Sequence, residues 1–191
     1  MQASQYQDGS VLVHDVFSEK VDKLGHPKET YMLIAEVPSD REHMGEYVDK
    51  FESELVDMLK KTGMAKPPEE LVIKIMLGMN DMLFNAGQYG NNFSPDKPVY
   101  VSMNITRYEI PGPEGPLERR IMILGMYTND SYYDPASFQI NDARIDDNEG
   151  GNQGLGHKII KEMFDTAVIE NVVSPEGKPE HSGMTVQKVL D

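Results

Sequence analysis

Asp81 and Asn85 stand four residues apart in the stretch NDMLFNAGQYG, residues 80–90. On a helix that spacing turns both side chains to one side. A carboxylate and a carboxamide so placed can hold Mg²⁺, directly or through water, because that ion takes oxygen ligands and keeps several waters. The plainer alternative is two solvated polar residues on a helix face, and so short a motif does not separate the two. A second group, Gly150-Gly151-Asn152-Gln153-Gly154-Leu155-Gly156-His157-Lys158, runs into a stretch with helical periodicity. Glycines let backbone approach an anion closely. A helix N-terminus adds unpaired amides and a partial positive charge, and Lys158 adds a full one. A loop that only turns the chain is the alternative. The segment is not a dinucleotide fingerprint, since a long polar stretch and not a strand precedes it. Nor is it a Walker loop, since no G-K-[ST] follows.

The elements that must position these residues follow from periodicity. Residues 10–17 (SVLVHDVF) and 31–37 (YMLIAEV) read as strands. Ser39 or Asp40 then caps a helix whose Met44, Val48, Phe51, Leu55 and Leu59 make one apolar stripe. Pro67 and Pro68 open a second helix, with Glu69 and Glu70 in its first turn and Val72, Ile75, Met76, Met79, Met82, Leu83 and Ala86 inward. Residues 99–105 and 120–127 read as partner strands across a Pro/Gly-rich turn. Residues 129–153 read as a long polar loop, and loops of that length are usually functional or mobile. A third helix starts near Leu155, and residues 167–173 and 184–190 read as two closing strands. This order predicts an α+β, two-layer sandwich, a mixed β-sheet with helices on one face. Residues 1–27 are set apart as an N-terminal arm, and 28–191 as the domain.

Element order and both groups together resemble one family, from about residue 30 to residue 190. It is the anti-sigma-factor serine kinase branch of the histidine kinase-like ATPases, a superfamily that includes DNA gyrase, the large heat-shock chaperone and the mismatch-repair ATPase. Its "N box", E-x-x-x-N-A-x-x-H-G, is matched by Asp81-x-x-x-Asn85-Ala86-x-x-Tyr89-Gly90. Its last glycine box is matched by Gly151-Asn152-Gln153-Gly154-Leu155-Gly156. The resemblance implies a Bergerat-type fold binding ATP and Mg²⁺. Asn85 would be the metal ligand and Asp81 the general base toward a partner's serine. Tyr89, Asp130, Gly151, Gly154, Leu155 and Gly156 would line the nucleotide, under a lid formed by the long loop. It also implies a regulatory protein partner, such as a sigma factor or its antagonist, and dimerisation. The sequence departs from the pattern in three places. The acid is aspartate, Tyr89 replaces the usual histidine, and the first glycine box has become Thr128-Asn129-Asp130-Ser131-Tyr132-Tyr133-Asp134-Pro135. Its glycines are gone, and its base-reading aspartate is either replaced by Thr128 or shifted to Asp130. A protein that keeps the fold but binds its partner without nucleotide is the competing expectation.

Composition narrows the classes. The chain has 191 residues, a formal net charge of −14 and no cysteine. Disulfides, thiolate zinc sites and cysteine nucleophiles are excluded. The acidity speaks against phosphate-neutralising contacts to nucleic acid. No signal-peptide pattern and no membrane-length apolar run is present, so the chain reads as cytoplasmic. The five histidines are scattered without metal-ligand spacing, and the 13 methionines fall largely at core positions.

Overall fold

The structure, a computed structural model, describes residues 4–5, 11–15, 25–132 and 155–190. Its strands are β1 (Ser4–Gln5), β2 (Val11–Asp15), β3 (His26–Pro38), β4 (Pro98–Ile110), β5 (Leu117–Asn129), β6 (Thr166–Val173) and β7 (Pro179–Leu190). The helices are α1 (Arg41–Lys61), α2 (Glu69–Asn85) and α3 (Leu155–Met163). A five-residue π-helical turn, Ala86–Gly90, continues α2. No helix among the described residues is long and apolar enough to cross a membrane.

Alternation along the strands builds the core. Val99, Val101, Met103 and Ile105 of β4 are buried, and so are Met122, Leu124 and Met126 of β5. Register sets Met103 between Leu33 and Leu124, and Leu124 opposite Val186. One face of the sheet is therefore continuously apolar. The helices cover it. Met44, Phe51, Leu55 and Leu59 of α1, Ile75, Met79 and Leu83 of α2, and Ile160 with Phe164 at α3 join the same cluster. The molecule is α+β in two layers, as periodicity predicts.

The sheet order is β1-β2-β6-β7-β5-β4-β3, and every pair is antiparallel. The expected mixed sheet is corrected on this point. Among the described residues one helix, α3, lies between β5 and β6 in the chain, a crossover that would make them a parallel pair as neighbours. However, β7 lies between them, antiparallel to both. Two helices join β3 to β4, so the chain returns antiparallel. Residues 11–15 also join the domain: β2 pairs with β6 in the same sheet, so the N-terminal arm as drawn from sequence contains part of the sheet.

Strands β4 and β5 run beyond their apolar centres, through Arg107 and Arg120, which stand directly opposite each other. Like charges facing across a ladder are unfavourable. Here the Glu118 carboxylate bridges them, at 2.6 Å from Arg107 and 3.1 Å from Arg120, and Glu29 adds a second acid beside Arg107. These ion pairs keep polar strand ends in the ladder where apolar periodicity alone would stop.

Candidate functional site

Pro68 starts α2, and its first turn carries Glu69 and Glu70. Its core face ends at Ala86, which leaves Asp81 and Asn85 on a flank that is half-buried. Asn85 Nδ2 donates to Asp81 Oδ2 at 2.8 Å. An ionised carboxylate can only accept, so the amide nitrogen must face it and Asn85 Oδ1 points elsewhere. Burial raises the Asp81 carboxyl above its ordinary range, and the bond from Asn85 draws it partly back. A desolvated carboxylate held this way is a stronger proton acceptor than a surface one.

The flank is placed by two close approaches of glycine. A Cβ on Gly78 would stand 2.3 Å from the ring of Phe164, so α2 and the end of α3 touch there, one turn before Asp81. A Cβ on Gly90 would stand 2.5 Å from Thr128 Oγ1, so the π turn rests on the end of β5. Single π turns inside helices occur often at functional sites. Asn91, 3 % exposed, fastens the turn: its Nδ2 lies 2.6 Å from Ser39 Oγ and 2.8 Å from the Lys97 carbonyl. Asp40 takes the cap of α1 through the His43 amide, while Ser39 is buried and donates to the Lys97 carbonyl. Of the two capping candidates, Asp40 therefore takes the cap, and Ser39 turns inward to tie the chain to Lys97.

Around Thr128 the polar groups satisfy one another. Thr128 Oγ1 lies 2.5 Å from Ser131 Oγ, which lies 2.6 Å from Ser182 Oγ, and all three residues are buried. In sequence Ser131 stands in the altered glycine box without a role of its own, and nothing marks Ser182. The register Thr128↔Ser182 is the signal that joins them, and it needs the sheet order. Asp130 instead has φ +53°, is exposed and faces Lys97 at 4.0 Å. Of the two positions for a base-reading acid, the buried one holds a threonine and the acidic one faces outward. Tyr89 is 62 % exposed on the π turn.

Leu155 and Gly156 open α3. Gly151 and Gly154 lie outside the described residues, as does most of the long loop expected to act as a lid. The structure thus brings together Asp81 and Asn85, sets Gly90 one turn further on against Thr128 of β5, and leaves Tyr89 exposed. Among the described residues no three His, Asp or Glu side chains gather to hold a metal. A site with one carboxamide oxygen beside one carboxylate fits Mg²⁺ only where water and phosphate complete the shell. No family model matches the sequence, and no curated protein matches it.

Proposed function

We propose that the chain is a nucleotide-responsive regulatory protein that binds a Mg²⁺–nucleoside triphosphate beside Asp81 and Asn85 and acts on a serine of a partner protein. The observation that carries this reading is the Asp81–Asn85 pair. One residue is a partly desolvated carboxylate, and its neighbour's orientation leaves Oδ1 for a cation. Asn85 Oδ1 would hold the Mg²⁺, and the amides opening α3 at Leu155 and Gly156 would face the phosphates. The nucleotide would supply an electrophilic phosphoryl group. Asp81 would accept the proton of the partner's hydroxyl as that oxygen bonds to phosphorus and the nucleoside diphosphate leaves. Thermal unfolding with Mg·ATP tests the reading. A ligand at a hundred times its Kd stabilises by about 2.7 kcal/mol, which is a shift of several degrees for a domain of this size. The shift should vanish without Mg²⁺ and in Asn85→Ala. No shift at millimolar nucleotide sinks it.

A second reading is favoured by the mutual satisfaction of Thr128, Ser131 and Ser182. With those hydroxyls engaged and Asp130 turned to Lys97, the base side lacks the acid that the resemblance implies. The protein would then bind its partner without nucleotide. Capture of the same partner at equal affinity with and without Mg·ATP supports this reading, and nucleotide-dependent capture removes it.

A further inference from the structure

We propose that the row Glu69, Ile73, Leu77, Asp81 along α2 is a docking strip for an extended segment of the partner, one with apolar side chains two and four residues from its serine and a basic side chain six residues from it. This docking rests on the Asp81–Asn85 reading and names the substrate that reading requires.

The solvent side of a surface helix is ordinarily polar. Helix α2 departs from that pattern. Between Glu70 and Asp81 its one charged residue is Lys74, whose ammonium lies 2.6 Å from Glu70. Ile73 and Leu77 are 50 % and 51 % exposed, the most exposed large apolar side chains on α1, α2 or α3 among the described residues. They stand four apart, and Asp81 and Asn85 continue the same steps of four. At 3.6 residues per turn such a row winds by about 40° per step. It passes from exposed Ile73 and Leu77 to the half-buried flank at Asp81 and Asn85, and exposed Glu69 stands at its other end. A segment laid on the two apolar side chains is therefore led to the carboxylate.

The repeat of the row selects the conformation of its occupant. Four residues advance a helix by about 6 Å. Alternate residues of an extended chain face one way and lie about 6.6 Å apart. With the serine hydroxyl at Asp81, the second residue from it meets Leu77, the fourth meets Ile73 and the sixth meets Glu69. The two repeats drift apart by only about 2 Å over the whole strip. A partner helix would instead pack between two ridges. Of the ridges beside this row, Val72 and Met76 are buried, and Glu70 and Lys74 are charged. Charge agrees with spacing: Glu69 closes the strip and the chain carries −14, so a cation is favoured at the sixth residue.

Two end-capped synthetic peptides test the strip without nucleotide: Ser-Ala-Leu-Ala-Leu-Ala-Lys and the reverse order, since alternation is the same in both chain directions. Each carries a dye at the end remote from its serine, and fluorescence anisotropy is followed to roughly 1 mM protein. One of the two should bind. Leu77→Ser should weaken it about tenfold through loss of one apolar anchor, with an unchanged thermal midpoint. Moving both leucines along by one position turns them away from the row and should weaken binding as much. Phosphoserine in place of serine sets its charge against Asp81. It should weaken binding severalfold in the unmodified protein and less in Asp81→Asn. Binding by neither peptide overturns the proposal. So does binding that is indifferent to Leu77→Ser or to the moved leucines, or a phosphoserine penalty that Asp81→Asn leaves in full. A bound peptide without a Mg·ATP thermal shift removes the nucleotide and keeps the strip, whereas a shift without a bound peptide removes the strip alone.

Discussion

The ring of Phe164, at the end of α3, fills the place where a side chain on Gly78 of α2 would be: a Cβ there would lie 2.3 Å and 2.9 Å from two ring carbons. The contact sets how close the two helices come beside Asp81. Alanine is the better helix former by about 1 kcal/mol, but Phe164 is 2 % exposed and has no room to yield. The clash wins. Gly78→Ala will lose about 1–3 kcal/mol in urea unfolding. Phe164→Leu in the same chain should return part of it, so the two changes will be non-additive.

Asp81→Asn will stabilise the protein at neutral pH. The Asp81 carboxyl is raised above its ordinary value of 3.8 by burial, so between that value and its folded one the native state binds more protons than the unfolded. Stability from this group therefore falls as pH rises through that window. Asparagine removes the cost and still accepts from Asn85. Thermal midpoints of the two proteins should differ most at pH 7 and converge below pH 3.8. A gap that persists in acid would show that ionisation of the Asp81 carboxyl is not its source.

On the outer face of the sheet, Tyr127 lies over the bare backbone of Gly183. A Cβ on Gly183 would meet its ring at 2.3 Å and the Met126 carbonyl at 2.4 Å. The Tyr127 hydroxyl lies 3.0 Å from Glu170 Oε2 and 2.6 Å from Thr185 Oγ1. Gly183→Ala presses on backbone as well as ring, and will cost about 3 kcal/mol. Tyr127→Phe keeps the ring and loses the hydroxyl, and will cost about 1 kcal/mol. Denaturant midpoints should rank the two in that order.

Arg120 Nε donates to the Thr62 carbonyl at 2.7 Å, at the C-terminal end of α1 where carbonyls lack partners. It also holds Glu118. Arg120→Ala will cost about 1.5–3 kcal/mol, the range for bonds from charged donors. Lysine cannot reach both acceptors with one ammonium group, so Arg120→Lys should not restore the loss. Recovery to the unmodified stability with lysine would refute the forked contact.

Much of the fold is legible in the amino-acid order. The stripe from Met44 to Leu59 forms a helix because its steps of three and four match the helical turn, and the alternation from Val99 to Ile105 forms a half-buried strand. The strand ends past Arg107 and Arg120 are not legible, because the bridging Glu118 acts across the ladder and leaves no local pattern. The antiparallel order is hidden for a related reason: the insertion of β7 between β5 and β6 is a fact of long-range pairing. At the site, the four-residue spacing places Asp81 and Asn85 on one flank as expected. The destination of Asp130 depends on its positive φ and on Lys97, which no spacing reveals. The glycines of the last box fall outside the described residues, so spacing remains the basis of their assignment.

The position of β7 also governs how the protein must be made. Strand β5 is flanked by β4, which precedes it, and by β7, whose Leu190 pairs back to Arg120. Strand β3 emerges long before β4, and its apolar centre waits while α1 and α2 are synthesised. Pairings between distant segments carry a loop-closure cost and form late. The β4–β5 hairpin can form early, but β5 stays open on its other side until β7 leaves the ribosome. Chains halted before residue 179 should therefore remain sensitive to protease, and extension past residue 190 should confer resistance in a single cooperative step.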